Sequence, residues 1–82
     1  MYAPVALTPG QCRAARELLG WTTWRLSGRT TVSVPRLRQF EAGKRDLSPE
    51  TLSALRAVLE AEGVTFERDD GSGRGVRLAR NG

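Results

Sequence analysis

TTWRLSGRTTVSVPRLRQFEAGKR, residues 22–45, decides how this chain of 82 residues folds. It reads as two short helices around a turn, the second carrying a cationic, hydrogen-bonding outer face. Leu37 sets the reference direction, and each residue turns the helix by about 100°. Phe40 then falls about 60° to one side, so Leu37 and Phe40 mark a buried stripe. Pro35, Gln39 and Ala42 point nearly opposite, with Arg36 at one edge and Arg38 at the other. Arg pairs bidentately with guanine and Gln with adenine in the major groove of DNA. A solvated surface helix is the plain alternative, and the surrounding chain decides between them.

Working toward the amino terminus, Trp21 is expected to close the core and Thr22 to cap helix 2, which the pattern places at about 23–29 with Leu26 inward. Helix 2 is a poor helix by propensity, holding Thr23, Ser27 and Gly28, so tertiary packing must support it. Trp24 lies nearly opposite Leu26; it is either a partner contact or a half-buried residue at the core's edge. Thr8-Pro9 is a hydroxyl cap followed by a proline at the first helical position. Helix 1 then runs to about Leu19 and stops at Gly20, burying Cys12, Ala15 and Leu19 with Leu18 beside them. Residues 1–7 read as a tail, with Val5 and Leu7 packing as it ends. Cys12 reads as a small core residue, since the chain has no His to activate it.

In the other direction, Thr30 to Ser33 form the turn with Val32 as its apolar plug. Helix 3 starts at Ser33 or Val34, and the restriction on a residue before proline makes Val34 a candidate cap. It ends at Ala42–Gly43, with Gly43 as a left-handed cap. Ser48-Pro49-Glu50 starts a fourth helix that runs to about Glu62, with Leu52, Leu55 and Leu59 on one face and Val58 widening it. Val64 and Phe66, then Val76 and Leu78, alternate with polar residues as strands do. They predict a short hairpin around the loop 68–75. Gly71, Gly73 and Gly75 have no strand–helix context, so they do not make a phosphate cradle. The expected fold is mainly α: a bundle of four helices followed by a short C-terminal β-hairpin. Residues 8–62 form the helical domain, and 63–82 an extension that is the candidate dimerisation element, by strand addition or by apolar packing of Val64, Phe66, Val76 and Leu78.

Charge is segregated along this frame. The net charge is +4, but residues 1–45 hold eight cations against two carboxylates, residues 46–67 one against five, and the last fifteen four against two. Such a molecule approaches a polyanion in one orientation. Twelve of the thirteen cations are Arg, whose fork suits phosphates and guanine edges. With 39% hydrophobic and 27% charged residues, the composition is that of a small soluble domain with a thin core. No apolar run reaches the roughly 20 residues of a membrane span. The first residues have no basic region and no apolar core, so no signal peptide is expected. One cysteine excludes an internal disulfide and fits a reducing compartment, so a cytoplasmic, nucleoid-associated protein is expected. Without His or a cluster of Cys and carboxylates, the residues offer no acid–base pair, activated nucleophile or metal set. An enzyme is therefore not expected, nor any cofactor. RNA modules need aromatic stacking platforms, and the five aromatics here are scattered.

The run from Trp21 to Arg45 resembles the helix-turn-helix of Xre/Cro/C1-type bacterial and phage repressors, a lambda-repressor-like fold. The matching positions are Trp21-Thr22, Leu26-Ser27, Val32-Ser33, Leu37, Phe40, Glu41, Gly43 and Lys44. The resemblance covers about residues 8–62. It implies that Val34, Pro35, Arg36 and Gln39 face base edges. It implies phosphate contacts from Thr22, Thr23, Arg38, Lys44, Arg45 and the backbone N–H groups near Gly43. It also implies that Arg16 of helix 1 pairs with Glu41 as a structural lock. Thr23 departs from the family, which usually has Gln there, and Thr30-Thr31 replace the usual apolar residue and glycine entering the turn. The implied function is a transcriptional regulator, a repressor by preference, that binds a palindromic operator in double-stranded DNA as a homodimer. The competing expectation is a module that grips a partner protein, as antitoxins and phage accessory proteins do.

Overall fold

A computed structural model describes residues 7–67 and 75–78. The elements run α1 (Pro9–Leu18), α2 (Thr23–Gly28), α3 (Val34–Glu41), α4 (Pro49–Ala61), β1 (Val64–Phe66) and β2 (Val76–Leu78). The fold is thus mainly helical, with four helices before an antiparallel two-stranded hairpin. Most of the expected 68–75 loop, the segment 1–6 with Val5, and residues 79–82 lie outside the described residues.

Every helix starts on a hydroxyl. Thr8, Thr22, Ser33 and Ser48 sit in extended backbone, and each side chain accepts an N–H from the first turn that has no carbonyl within the helix. At α1 the cap is reciprocal: the Gln11 N–H donates to Thr8 Oγ1 (3.1 Å) and the Thr8 N–H to Gln11 Oε1 (3.0 Å). Gln11 Nε2 also donates to the Glu67 carbonyl at 3.3 Å, so one buried amide ties the start of α1 to the end of β1.

The core lies where α1, α3 and α4 meet, under α2 and the hairpin. Leu26, Leu37, Leu55 and Leu59 are wholly buried, with Cys12 and Ala15 from α1. Leu7, expected to pack as the tail ends, is wholly buried too. Trp21 reaches the core because Gly20 closes α1 in the left-handed region, with φ of 70°. The Trp21 N–H donates back to the Arg16 carbonyl at 2.9 Å, which turns the indole inward.

Several expectations need correction. Trp24 is 69% exposed, not half-buried, because α2 turns only Leu26 and its Thr23–Ser27 side toward neighbours. Leu18 is 42% exposed, since α1 faces the core through Gln11, Cys12 and Ala15. Ser33, not Val34, caps α3: its hydroxyl accepts the Arg36 N–H, which a valine cannot do. Val34 takes helical geometry despite the proline after it, held by burial of its side chain. The hairpin pairs Val64 with Leu78, Thr65 with Arg77 and Phe66 with Val76. Val64 is buried in the core, and Phe66, Val76 and Leu78 pack against it. The apolar side of the hairpin is therefore partly engaged within the chain, with Phe66, Val76 and Leu78 still half-exposed.

The turn between α2 and α3 departs from the usual glycine solution. Among the described residues only glycines have positive φ, so Thr31 stays in ordinary backbone space. Hydroxyls hold the turn instead. Thr30 Oγ1 donates to the Ser27 carbonyl and accepts the Val32 N–H, while Ser27 Oγ donates to the Val32 carbonyl at 2.6 Å.

Candidate nucleic-acid interface

Glu41 orients α3. Its carboxylate accepts from Arg16 Nε at 3.0 Å and from the terminal guanidinium nitrogen at 2.9 Å, a bidentate clasp between α1 and α3. The other arm of Arg16 donates to the Trp21 carbonyl at 2.9 Å, fixing the α1–α2 corner with the same side chain. Cys12 Sγ donates to Glu41 Oε2 at 3.4 Å. The hydrogen bonds that Arg16 donates to Glu41 raise its pKa further, so this cation stays charged. Burial pushes the Cys12 thiol well above its ordinary range, and the charge and hydrogen bond of Glu41 push it the same way. This seam has no free charge to offer a ligand.

With that side fixed, the opposite side of α3 stands open. Leu37 and Phe40 are 0% and 3% exposed, while Pro35, Arg36, Arg38, Gln39 and Ala42 are all exposed. Val34 is 7% exposed. Its side chain points about 60° from Leu37, which leaves little of it on the outer side. Arg38 Nε donates to Thr23 Oγ1 at 3.4 Å, joining the edge of α3 to the start of α2. Thr22 Oγ1 accepts the Arg25 N–H at 3.1 Å, which leaves its hydroxyl proton to donate outward.

Gly43 ends α3 with φ of 74°. Its N–H donates to the Phe40 carbonyl and that of Lys44 to the Gln39 carbonyl, both at 2.9 Å. These two amides are engaged in closing the helix. The side chains of Lys44 and Arg45 remain exposed beyond the cap.

Not every cation faces outward from this region. Arg16 is neutralised by Glu41, Arg25 and Arg29 lie over the Trp21 ring at 5.2 and 5.5 Å, and Arg29 also approaches Glu62 at 3.6 Å. Arg36, Arg38, Lys44 and Arg45 form no ion pair among the described residues. Among the described residues, the positive surface therefore concentrates around α3. Sequence reasoning missed Arg13, which lines an open groove with Arg16, Thr23, Arg38, Glu41 and Ala42. Its three-residue spacing from Arg16 on α1 was the available signal. Among the described residues no group of His, Cys, Asp or Glu could hold a metal ion, and no helix is long and apolar enough to cross a membrane.

A short helix capped by hydroxyls, locked by an ion pair on one side and cationic on the other, defines a DNA-binding helix-turn-helix regulator. The family model for helix-turn-helix domains (HTH_3) matches residues 13–63, well over half of the chain. The chain belongs to this family, of the Xre/Cro/C1 type, and is a DNA-binding transcription regulator. No curated protein gives a significant match.

Proposed function

We propose that the protein is a repressor that binds a palindromic operator as a homodimer, placing α3 of each copy in the major groove. The carrying observation is the division of α3: Leu37 and Phe40 buried, with Pro35, Arg36 and Gln39 open on the other side. In this reading those three residues meet base edges, while Thr22, Thr23, Arg38, Lys44 and Arg45, with Arg13, meet phosphates. Two recognition helices on successive grooves sit about 34 Å apart. The hairpin serves as the dimer contact, by strand addition or through the half-exposed Phe66, Val76 and Leu78. Selection of bound sites from random duplex DNA tests the whole reading: a palindrome with half-sites one helical turn apart is expected. A single non-repeated site would refute the dimer, and no enrichment at all would refute sequence-specific binding.

Trp24 supports a second reading. At 69% exposure on α2 it offers a large apolar contact to a partner protein, as an antitoxin would use. No retardation of random DNA at low salt would favour this reading over the first.

A further inference from the structure

The outermost line of α3 has an unusual chemistry for a reader of bases. Pro35, Gln39 and Ala42 form the stripe opposite Leu37 and Phe40, and all three are exposed. Pro35 has neither a backbone N–H nor a polar side-chain atom. Ala42 presents only a methyl group. Val34 is buried, so it adds no base-reading side chain to the first turn, and Ser33, which keeps a hydroxyl proton to donate, precedes the helix and lies off this line. Gln39 is thus the one hydrogen-bonding side chain on the line, with an apolar surface before it and another after it. The arginines stand at the edges, and Arg38 leans toward Thr23.

Base pairs differ in what they offer such a line. An apolar side chain gains from a thymine 5-methyl group, and Gln pairs bidentately with adenine N6 and N7. A G·C pair presents O6, N7 and N4 to this line, and the two apolar residues would leave those groups without partners. From Pro35 to Ala42 the helix rises roughly 10 Å, the length of about three base pairs. Resting on the DNA-reading role proposed above, we infer that the centre of each half-site is a run of A·T pairs. Thymine methyl groups pack on Pro35 and Ala42, and an adenine is held by Gln39. Arg36 takes a guanine at the flank of the run.

Uracil in place of thymine keeps the base pair and removes only the methyl group. Sites selected from random duplex DNA by the full chain are remade with uracil at each thymine in turn, and affinity is measured at fixed salt. Two central positions are expected to lose about fourfold each, from the burial of one methyl-sized group. In Pro35→Ser the loss at one of them is expected to vanish while the loss at the other persists. Full affinity on the uracil sites, with sequence preference intact, would overturn the inference and leave the DNA-binding role standing. So would a selected half-site with G·C pairs at its centre. Absence of any sequence preference would overturn the DNA-binding role itself, and this inference with it.

Discussion

On its inner side α3 sets Leu37 and Phe40 into the core and clasps Arg16 with Glu41 through two hydrogen bonds near 3 Å. On its outer side Pro35, Arg36 and Gln39 make no side-chain hydrogen bond or ion pair with protein among the described residues. Two sides of eight residues thus have separate duties. The inner side must satisfy sterics and buried polarity, so its residues are dictated by their neighbours. The outer side contributes almost nothing to stability, which leaves its chemistry free to suit a ligand. Substitutions on the inner side are therefore expected to change melting, and those on the outer side to change binding.

The largest expected effect is on the inner side. Glu41→Ala leaves the Arg16 guanidinium without its carboxylate and the Cys12 thiol without its acceptor, and is expected to cost about 2–3 kcal/mol in urea unfolding. Arg16 keeps some solvent access, which holds the cost below that of a wholly buried pair. Unfolding indistinguishable from the parent protein would show that the seam does not hold α3.

Gln39→Ala is expected to do the reverse. Melting should stay within about 0.5 kcal/mol of the parent, as for an exposed residue without partners. Base discrimination at one operator position should fall by about 1–3 kcal/mol. An equal loss on every sequence would move Gln39 from the base-reading set to the phosphate set.

The seam also makes a pH prediction. A thiol with a raised folded pKa favours its neutral form in the folded chain, so its contribution is intact below the ordinary value of 9.0. It declines above that value, as the unfolded chain releases the proton and the folded chain does not. Near pH 10 the loss is about 1.4 kcal/mol. Cys12→Ala is expected to remove this part of the alkaline decline, and parallel pH profiles for parent and variant would contradict it. Arg45→Ala carries the smallest effect: melting unchanged, binding weaker on all sequences alike, and the salt slope flatter by about one unit. An unaltered slope would take Arg45 off the phosphate face.

Much of this division was legible before any coordinates. Hydroxyl–proline pairs announce α1 and α4, because caps are local chemistry between residues three apart. The buried stripe of α3 follows from helical periodicity alone, which is why Leu37, Phe40, Pro35 and Gln39 fall where the rotation puts them. Spacing falls short where a neighbouring element decides the outcome. By its spacing Trp24 is either a partner contact or half-buried, and among the described residues it is left 69% exposed. Val34 has a place in the motif, yet its side chain is buried. The amides of Gly43 and Lys44 close the helix, which residue spacing does not show. Arg13, which pairs with Glu17 at 3.6 Å on α1, comes to the edge of α3 only because the two helices lie side by side.

The amino-acid sequence by itself determined the helices, their caps, the charge segregation and the outer stripe, since each depends on spacings of four residues or fewer or on simple composition. Tertiary structure alone decided which cations remain available. Arg16 and Arg36 are alike as side chains, but one lies 2.9 Å from a carboxylate 25 positions away and the other faces outward. Contacts over such separations depend on how the helices cross, and local spacing holds no record of that.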